Sequence, residues 1–341
     1  MADEKKKKDV PKTIEDFKRL LDKEYGKGTV IDPNAREAVK DIIPSSSFSF
    51  NLASGIGGWA KGKIYEIYAD PSSGKSTLGY DAIASCQKKF GEDCLIIEKE
   101  FSYTKPYGQA MGIDNEKLHI INPETQEDYY EQLILALENN LFGVIVVDSL
   151  TSFAPKARHE GSQIMGLEAR CNSYYMRLVI NAIQKSNTCL IILQQTRLSI
   201  GGFGNPVTVS GGKAVEFYAH VRIWITRSEI DKINEQNTMK FNFVKNKLAN
   251  PFKIGVVTYK WGGGFDDASA IRQIALDAGI ITLVKTTYIF PESDMKIIGK
   301  AKAAEFLRDN PEYVETVIKP LVTKYLESTY EVVDIEEPTQ D

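Results

Sequence analysis

Near-continuous apolar runs alternate with stretches of helical periodicity through the middle of the chain. The runs lie at 64–68, 94–98, 144–148 and 189–193, and the helical stretches between them at 75–90, 126–140 and 166–184. Strands apolar on both faces, with a helix between each pair, predict an α/β fold around a mostly parallel central sheet covered by helices on both sides. Further apolar runs at 221–226, 241–244 and 254–259 follow at closer spacing and predict an antiparallel extension of that sheet. Ahead of the core, Thr13 precedes Ile14, Phe17, Leu20, Leu21 and Tyr25, with Asp16 three positions after it. That is a capped amphipathic helix of about three turns. Gly26 and Gly28 stop it, and 29–32 reads as a short strand. Such a unit cannot bury its apolar face alone, so it packs on this chain's core or on a neighbour's. After Gly262–Gly264 the pattern changes to helical stretches at 268–278, 301–309 and 312–327, with a polar segment near 285–298. The organisation expected is an arm over 1–35, a core over 36–265, a small α-rich domain over 266–328 and an acidic tail over 329–341.

One junction in this pattern carries chemistry. The strand at 64–68 runs into Ala69-Asp70-Pro71-Ser72-Ser73-Gly74-Lys75-Ser76-Thr77, and a helix follows at once. A loop of this kind presents backbone N–H groups and a helix N-terminus to an anion. Lys75 reaches the β- and γ-phosphates of a nucleotide, and the Ser76 hydroxyl serves Mg²⁺. The first glycine of the usual pattern is replaced by Ala69, which predicts that the turn is entered at negative φ. The plain alternative, a Ser/Gly turn between strand and helix, leaves the lysine after Gly74 unexplained.

Composition narrows the rest. With 341 residues, 43% of them hydrophobic, the chain can bury a large core. Its net charge of −4 does not by itself argue for nucleic acid, which needs a local patch. The four cysteines, Cys86, Cys94, Cys171 and Cys189, form no C-x-x-C pair and read as reduced thiols of a cytoplasmic protein. Three histidines make a histidine-rich metal site implausible. The basic run Lys5–Lys8 is followed by Asp9 rather than an apolar stretch, and no window approaches 18 apolar residues, so neither a leader nor a membrane span is expected.

Other strand ends suggest partners for the phosphate loop. The run at 144–148 ends in Asp148, which in such proteins holds Mg²⁺, often through water; the alternative is a helix cap. The run at 94–98 leads into Glu98-Lys99-Glu100, where either carboxylate can polarise an attacking water, or both are part of a solvated turn. Gln194 and Gln195 end the run at 189–193 and can contact a γ-phosphate or simply cap a turn. Lys245 and Lys247 have the spacing of one strand face; they either block an edge or reach a phosphate, a neighbour's included.

These residues fall within a longer match. The chain resembles the bacterial RecA-type recombinases through Glu24–Val30, Glu66–Ser76, Val146–Ser149 with Pro155–Ala157, and Met165–Arg170. The match continues through Phe203–Pro206, Gly211–Gly212 with Phe217–Ala219, Val244–Lys247 with Pro251–Lys253, and Phe306–Glu312. The resemblance implies a RecA-type nucleotide-binding core that hydrolyses ATP with Mg²⁺. Protomers would assemble into a helical filament on single-stranded DNA and pair it with homologous duplex. A ring helicase built on the same core is the alternative. Glu100, not Glu98, falls on the family's water-activating glutamate. Gln195 falls on the glutamine that links ATP to the second DNA loop, and Lys245 and Lys247 on lysines that reach ATP across the filament seam. Tyr107 falls near the adenine, and the N-terminal helix and strand match the arm that docks on the adjacent protomer. Residues 157–165 and 197–212 match the two DNA loops. By this analogy Met165 and Ile200 wedge between base triplets, while Arg170, Ser173, Arg177, Arg197, Gly211, Gly212 and Lys213 hold the backbone.

Charge fits that implication. From Lys156 to Lys213 there are seven basic residues against two acidic ones, a local surplus of five in an acidic chain. Departures from the family pattern are Ala69, Thr104 in place of an adenine-holding Asp, Lys213 in place of Asn, shortened loops and a short tail. Together they are what a divergent, phage-encoded relative would show.

Overall fold

The structure, a computed structural model, describes residues 11–25, 30, 39, 41–161, 164, 166–198, 207–209, 211–231, 236–260, 263–293 and 295–330. They belong to two units, divided between Lys40 and Asp41. The first contains helix α1 (Ile14–Tyr25). Its first turn is capped as expected, with the Asp16 amide donating to Thr13 Oγ1 at 3.1 Å. The strand expected at 29–32 lies outside the described residues, as does the acidic tail beyond 330.

The second unit begins with a small ribbon, β1 (Ile42–Ile43) against β2 (Trp59–Ala60), flanking α2 (Phe48–Ser54). The main sheet then forms from β3 (Ile64–Ala69), α3 (Lys75–Phe90), β4 (Cys94–Glu98), α4 (Lys105–Ala110), β5 (Leu118–Ile121), α5 (Gln126–Glu138) and β6 (Val144–Asp148). It continues through α6 (Lys156–His159), α7 (Leu167–Lys185), β7 (Cys189–Leu198), β8 (Val207–Val209), α8 (Ala214–Tyr218), β9 (Val221–Asp231), β10 (Gln236–Asn246), β11 (Ile254–Lys260) and β12 (Gly264–Asp266). The strand order is β12-β11-β10-β9-β3-β7-β6-β4-β5, with β8 paired to β7. All pairs from β9 to β5 are parallel, and β9 to β12 form the antiparallel extension.

The pattern explains this order. β3, β6 and the first half of β7 are buried almost throughout, as strands covered on both faces must be. Leu133, Leu137, Met176 and Val179 on α5 and α7 close one face over Ile145, Val147, Leu190 and Ile192. β5 was not expected from the sequence. It is four residues long with exposed His119 and Ile120, the signature of an edge strand rather than a core one.

The last segment comprises α9 (Ala268–Asp277), β13 (Thr282–Val284), β14 (Thr287–Ile289), β15 (Lys296–Ile298), α10 (Lys300–Asp309), α11 (Pro311–Tyr313) and α12 (Lys319–Tyr330), with a π-helical turn at Val314–Ile318. The three strands form a meander inside the stretch read as polar. This segment has its own core around Ile271, Phe290, Ala303, Leu307 and Ile318, against which Phe48 and Leu52 of α2 pack.

Two buried carboxylates fix the segment leading into α2. Asp81 on α3 accepts from the Ser45 hydroxyl at 2.6 Å and from the Ser46 amide at 3.1 Å. Asp267, which precedes α9, accepts from the Ser47 hydroxyl at 2.8 Å and the Ser49 amide at 3.2 Å. Burial raises the Asp267 carboxyl from the ordinary 3.8 to about 6, with these hydrogen bonds opposing. In that window the folded chain holds a proton that the unfolded chain has released. The resulting stabilisation is complete below 3.8 and lost as pH rises through about 6. Denaturant titrations of wild type and Asp267→Asn should therefore show the difference shifting in favour of wild type as pH falls through this window. A difference independent of pH would contradict the assignment.

Candidate functional site: a phosphate loop at the carboxyl edge of the sheet

The parallel strands deliver their carboxyl ends to one edge. Ala69, the last residue of β3, pairs with Gln195 of β7, and Glu98 of β4 pairs with Asp148 of β6. The loop leaving β3 enters its turn as expected, with Ala69 inside the strand, and the left-handed steps come at Ser72 (φ 59°) and Gly74 (φ 91°). Gly74 is favoured by this left-handed φ, and a Cβ there would also press on the Met239 Cε at 2.7 Å and the Tyr259 ring at 3.2 Å. Pro71 and Ser72 are exposed, whereas Ser73 is buried beneath them.

α3 begins at Lys75. Its ammonium donates to the carbonyls of Ala69 at 3.1 Å and Asp70 at 2.9 Å. Burial lowers the Lys75 pKa, while Asp148, Asp70 and Glu100 oppose that shift, so all three carboxylates lie within its field. The Ser76 hydroxyl donates to Asp148 Oδ2 at 2.5 Å. Burial raises the Asp148 pKa and Glu100 and Glu98 push the same way, against the Ser76 hydrogen bond and Lys75. A half-buried carboxylate beside a hydroxyl, in a field with surplus negative charge, suits a divalent cation. Among the described residues no cluster of three or more His, Cys, Asp or Glu side chains could cage one.

The structure gives Glu98 and Glu100 different surroundings. Glu98 is buried, and its Oε2 accepts from the Ser102 amide and hydroxyl at 2.9 Å each and from the Tyr103 amide at 3.3 Å. It ties down the turn after β4. Glu100 is exposed and accepts from the Ser152 hydroxyl at 2.7 Å, and Ser152 in turn bonds Ser149 Oγ at 3.0 Å. Tyr107 lies on the other flank, its hydroxyl 2.8 Å from Thr77 Oγ1 and its ring edge-on to Tyr80. Thr104 precedes α4 without a side-chain cap.

Gln195 is half-buried beside the phosphate loop, while its neighbour Gln194 points into the sheet and donates to Glu66 at 2.7 Å. Thr196, next along β7, donates from its hydroxyl to Asp70 Oδ1. It also pairs with Val209 of β8, so the second loop rises from a short hairpin rooted on the phosphate loop. The Thr196–Asp70 link was not visible in the sequence, because it joins residues 126 positions apart.

Lys245 and Lys247 are not brought to this loop. Lys245 pairs with Arg222, which pairs with Glu66 near the start of β3. Its ammonium donates to the carbonyls of Glu216 at 2.7 Å and Phe217 at 3.0 Å. β10 ends at Asn246 after a bulge at Phe243–Lys245, so the expected shared strand face is not formed: Lys247 follows the strand and is exposed.

The residues read as DNA-holding gather on α7 and its neighbour. Arg170, Ser173 and Arg177 line one exposed face, at helical spacing. Gly211 and Gly212, at φ 87° and 81°, pack against that helix. Asn172, buried beneath, donates to the Gly211 carbonyl at 2.7 Å and accepts from Gln126 at 2.5 Å and the Tyr130 hydroxyl at 2.7 Å. Lys213 is exposed just before α8. Met165 and Ile200 lie outside the described residues, and Arg197 is placed by its backbone alone, opposite Thr208. All four cysteines are free. Among the described residues, no helix is long and apolar enough to cross a membrane.

Comparison with known proteins gives the same reading across nearly the whole chain. The family model for the RecA N-terminal domain matches residues 12–266. A curated protein named Protein RecA from Thermus thermophilus is 36% identical over 332 residues, covering 94% of this chain and 96% of its own length. Protein RecA from Campylobacter lari is 34% identical, with 91% and 92% covered, and that from Zymomonas mobilis 34% identical, with 96% and 94% covered. With a family model over 12–266 and these relatives 34–36% identical across more than nine-tenths of its length, the chain belongs to the RecA family.

Proposed function

We propose that this chain is an ATP-dependent recombinase that forms helical filaments on single-stranded DNA and exchanges strands with homologous duplex. The observation that carries this is the shared edge: Ala69 beside Gln195, with Thr196 bonded to Asp70, joins the nucleotide loop directly to the root of the second DNA loop. Membership of the RecA family supports the recombinase over the ring helicase.

The chain's own groups suit the chemistry. Phosphate oxygens would be met by the N–H groups opening α3 and by the Lys75 ammonium, and the nucleoside side would be bordered by Tyr107 and Thr77. Ser76, backed by Asp148, would hold Mg²⁺, whose charge offsets that of the β/γ oxygens. Glu100, oriented by Ser152, accepts a proton from the attacking water as that oxygen bonds the γ-phosphorus and the bond to ADP breaks. Gln195 senses the γ-phosphate and passes its presence along β7 to the loop at 197–212. Because Lys245 sits at the level of Glu66, away from the chain's own phosphate loop, the two lysines serve the triphosphate of an adjacent protomer. Head-to-tail contacts of that kind build an open helical assembly. The arm over 1–35 docks on the neighbour, and the protein works in the cytoplasm.

Glu100→Gln should bind ATP within a few-fold of wild type yet release phosphate at least about a hundredfold more slowly, the usual scale for a lost general base. Unchanged turnover would move the base elsewhere. Lys75→Ala and Lys247→Ala should each lose DNA-stimulated hydrolysis when assayed alone. An equal mixture should recover about a quarter of wild-type activity, the fraction of random seams that pair an intact phosphate loop with an intact lysine. No recovery would place Lys247 in its own chain's site.

A further inference from the structure

The DNA-facing side of α7 carries one large side chain that the charge pattern leaves unexplained. Tyr174 is 62% exposed and lines a groove of about 380 Å³ together with Ala169, Arg170, Ser173 and Arg177. An exposed aromatic between two arginines at helical spacing is the arrangement that single-strand binders use, a π-face for a base beside cations for its phosphates.

Its ring is also braced. Tyr174 meets Tyr175 edge-to-face at 5.0 Å, and Tyr175 stacks flat on Tyr130 at 5.0 Å and 1°. Tyr130 lies 4.4 Å from Tyr129, which stacks on Phe153 at 5.0 Å. A run of five rings thus leads from the core below β6 to the surface of α7. The inner members are fixed: Tyr129, Tyr130 and Phe153 are buried, and the Tyr130 hydroxyl donates to Asn172 at 2.7 Å. Such backing restricts the outer ring before any ligand arrives, which lowers the ordering cost of a stacking contact.

Building on the DNA-binding reading above, we propose that Tyr174 is a stacking platform for a base of single-stranded DNA, with Arg170 and Arg177 holding the flanking phosphates. The platform is indifferent to sequence, since every base offers a π-face.

The test is equilibrium binding of the full chain to fluorescent oligothymidylate across a salt series, for Tyr174→Ala, Tyr174→Leu, Tyr174→Phe and Arg177→Ala. Tyr174→Ala and Tyr174→Leu should weaken binding by roughly 5- to 150-fold, with the slope of log affinity against log salt unchanged. Tyr174→Phe should bind within about twofold of wild type, because the ring rather than the hydroxyl makes the contact. Arg177→Ala should lower the slope by about one. Wild-type affinity in Tyr174→Ala beside a weakened Arg177→Ala would overturn the stacking role and leave the DNA face standing. Wild-type behaviour of both would overturn the DNA face as well. Full rescue by Leu would reduce the residue to apolar filling and overturn the proposal. Should Tyr174→Ala unfold, judged by its thermal midpoint, the Leu and Phe pair decides.

Discussion

Parallel pairing of β3 with β7, Ala69 opposite Gln195, sets where everything else in the site must be. Parallel strands end on the same side, so one edge receives the phosphate loop from β3, Asp148 from β6, the acidic turn from β4 and the root of the second loop from β7. A slip of one residue in β7 would turn Gln195 into the sheet and bring Gln194 out. The buried Glu66 opposes that slip. It accepts from Gln194 on one oxygen and pairs with Arg222 of the next strand through the other, so a slip that removed Gln194 would leave one buried carboxylate oxygen without its donor. Burial raises the Glu66 pKa, and the Arg222 charge opposes this.

Under the proposed function, the same edge would let nucleotide and DNA influence each other. The phosphate loop meets the hairpin of β7 and β8 through the Ala69–Gln195 pairing and the Thr196–Asp70 hydrogen bond. Gly211, at the far end of that loop, is in turn bonded to Asn172, on the helix that carries Arg170, Ser173 and Arg177. Coupling of this kind is reciprocal: whatever ATP does to the hold on DNA, DNA must do to the hold on ATP.

Much of this was legible in the chain. β3, β4 and β6 are continuous apolar runs ended by Asp, Glu or a glycine-containing loop, and α3, α5 and α7 have clear helical spacing. β5 and the meander of β13 to β15 were not, because each strand has only three or four residues and most of them are exposed, so no apolar run stands out. Glu98 and Glu100 are chemically alike and two apart, so spacing does not separate them; the resemblance points to Glu100, and in the structure the Ser102 and Tyr103 donors claim Glu98 for the turn. Thr196, Ser152 and Asn172 act through partners 126, 52 and 39 positions away, a relation that local pattern does not encode. Tyr174 could have been found, since 170, 173, 174 and 177 fall on one helical face, but attention to charge alone passes over it.

In the proposed function, triphosphate at the carboxyl edge governs the grip on a single strand. Its most direct measurement is the equilibrium affinity for single-stranded DNA with a non-hydrolysable ATP analogue and with ADP, at one salt concentration. Binding should be tighter with the analogue, by roughly 5- to 150-fold, with an equal gain in analogue affinity when DNA is present. Equal affinity for DNA with both nucleotides would contradict it.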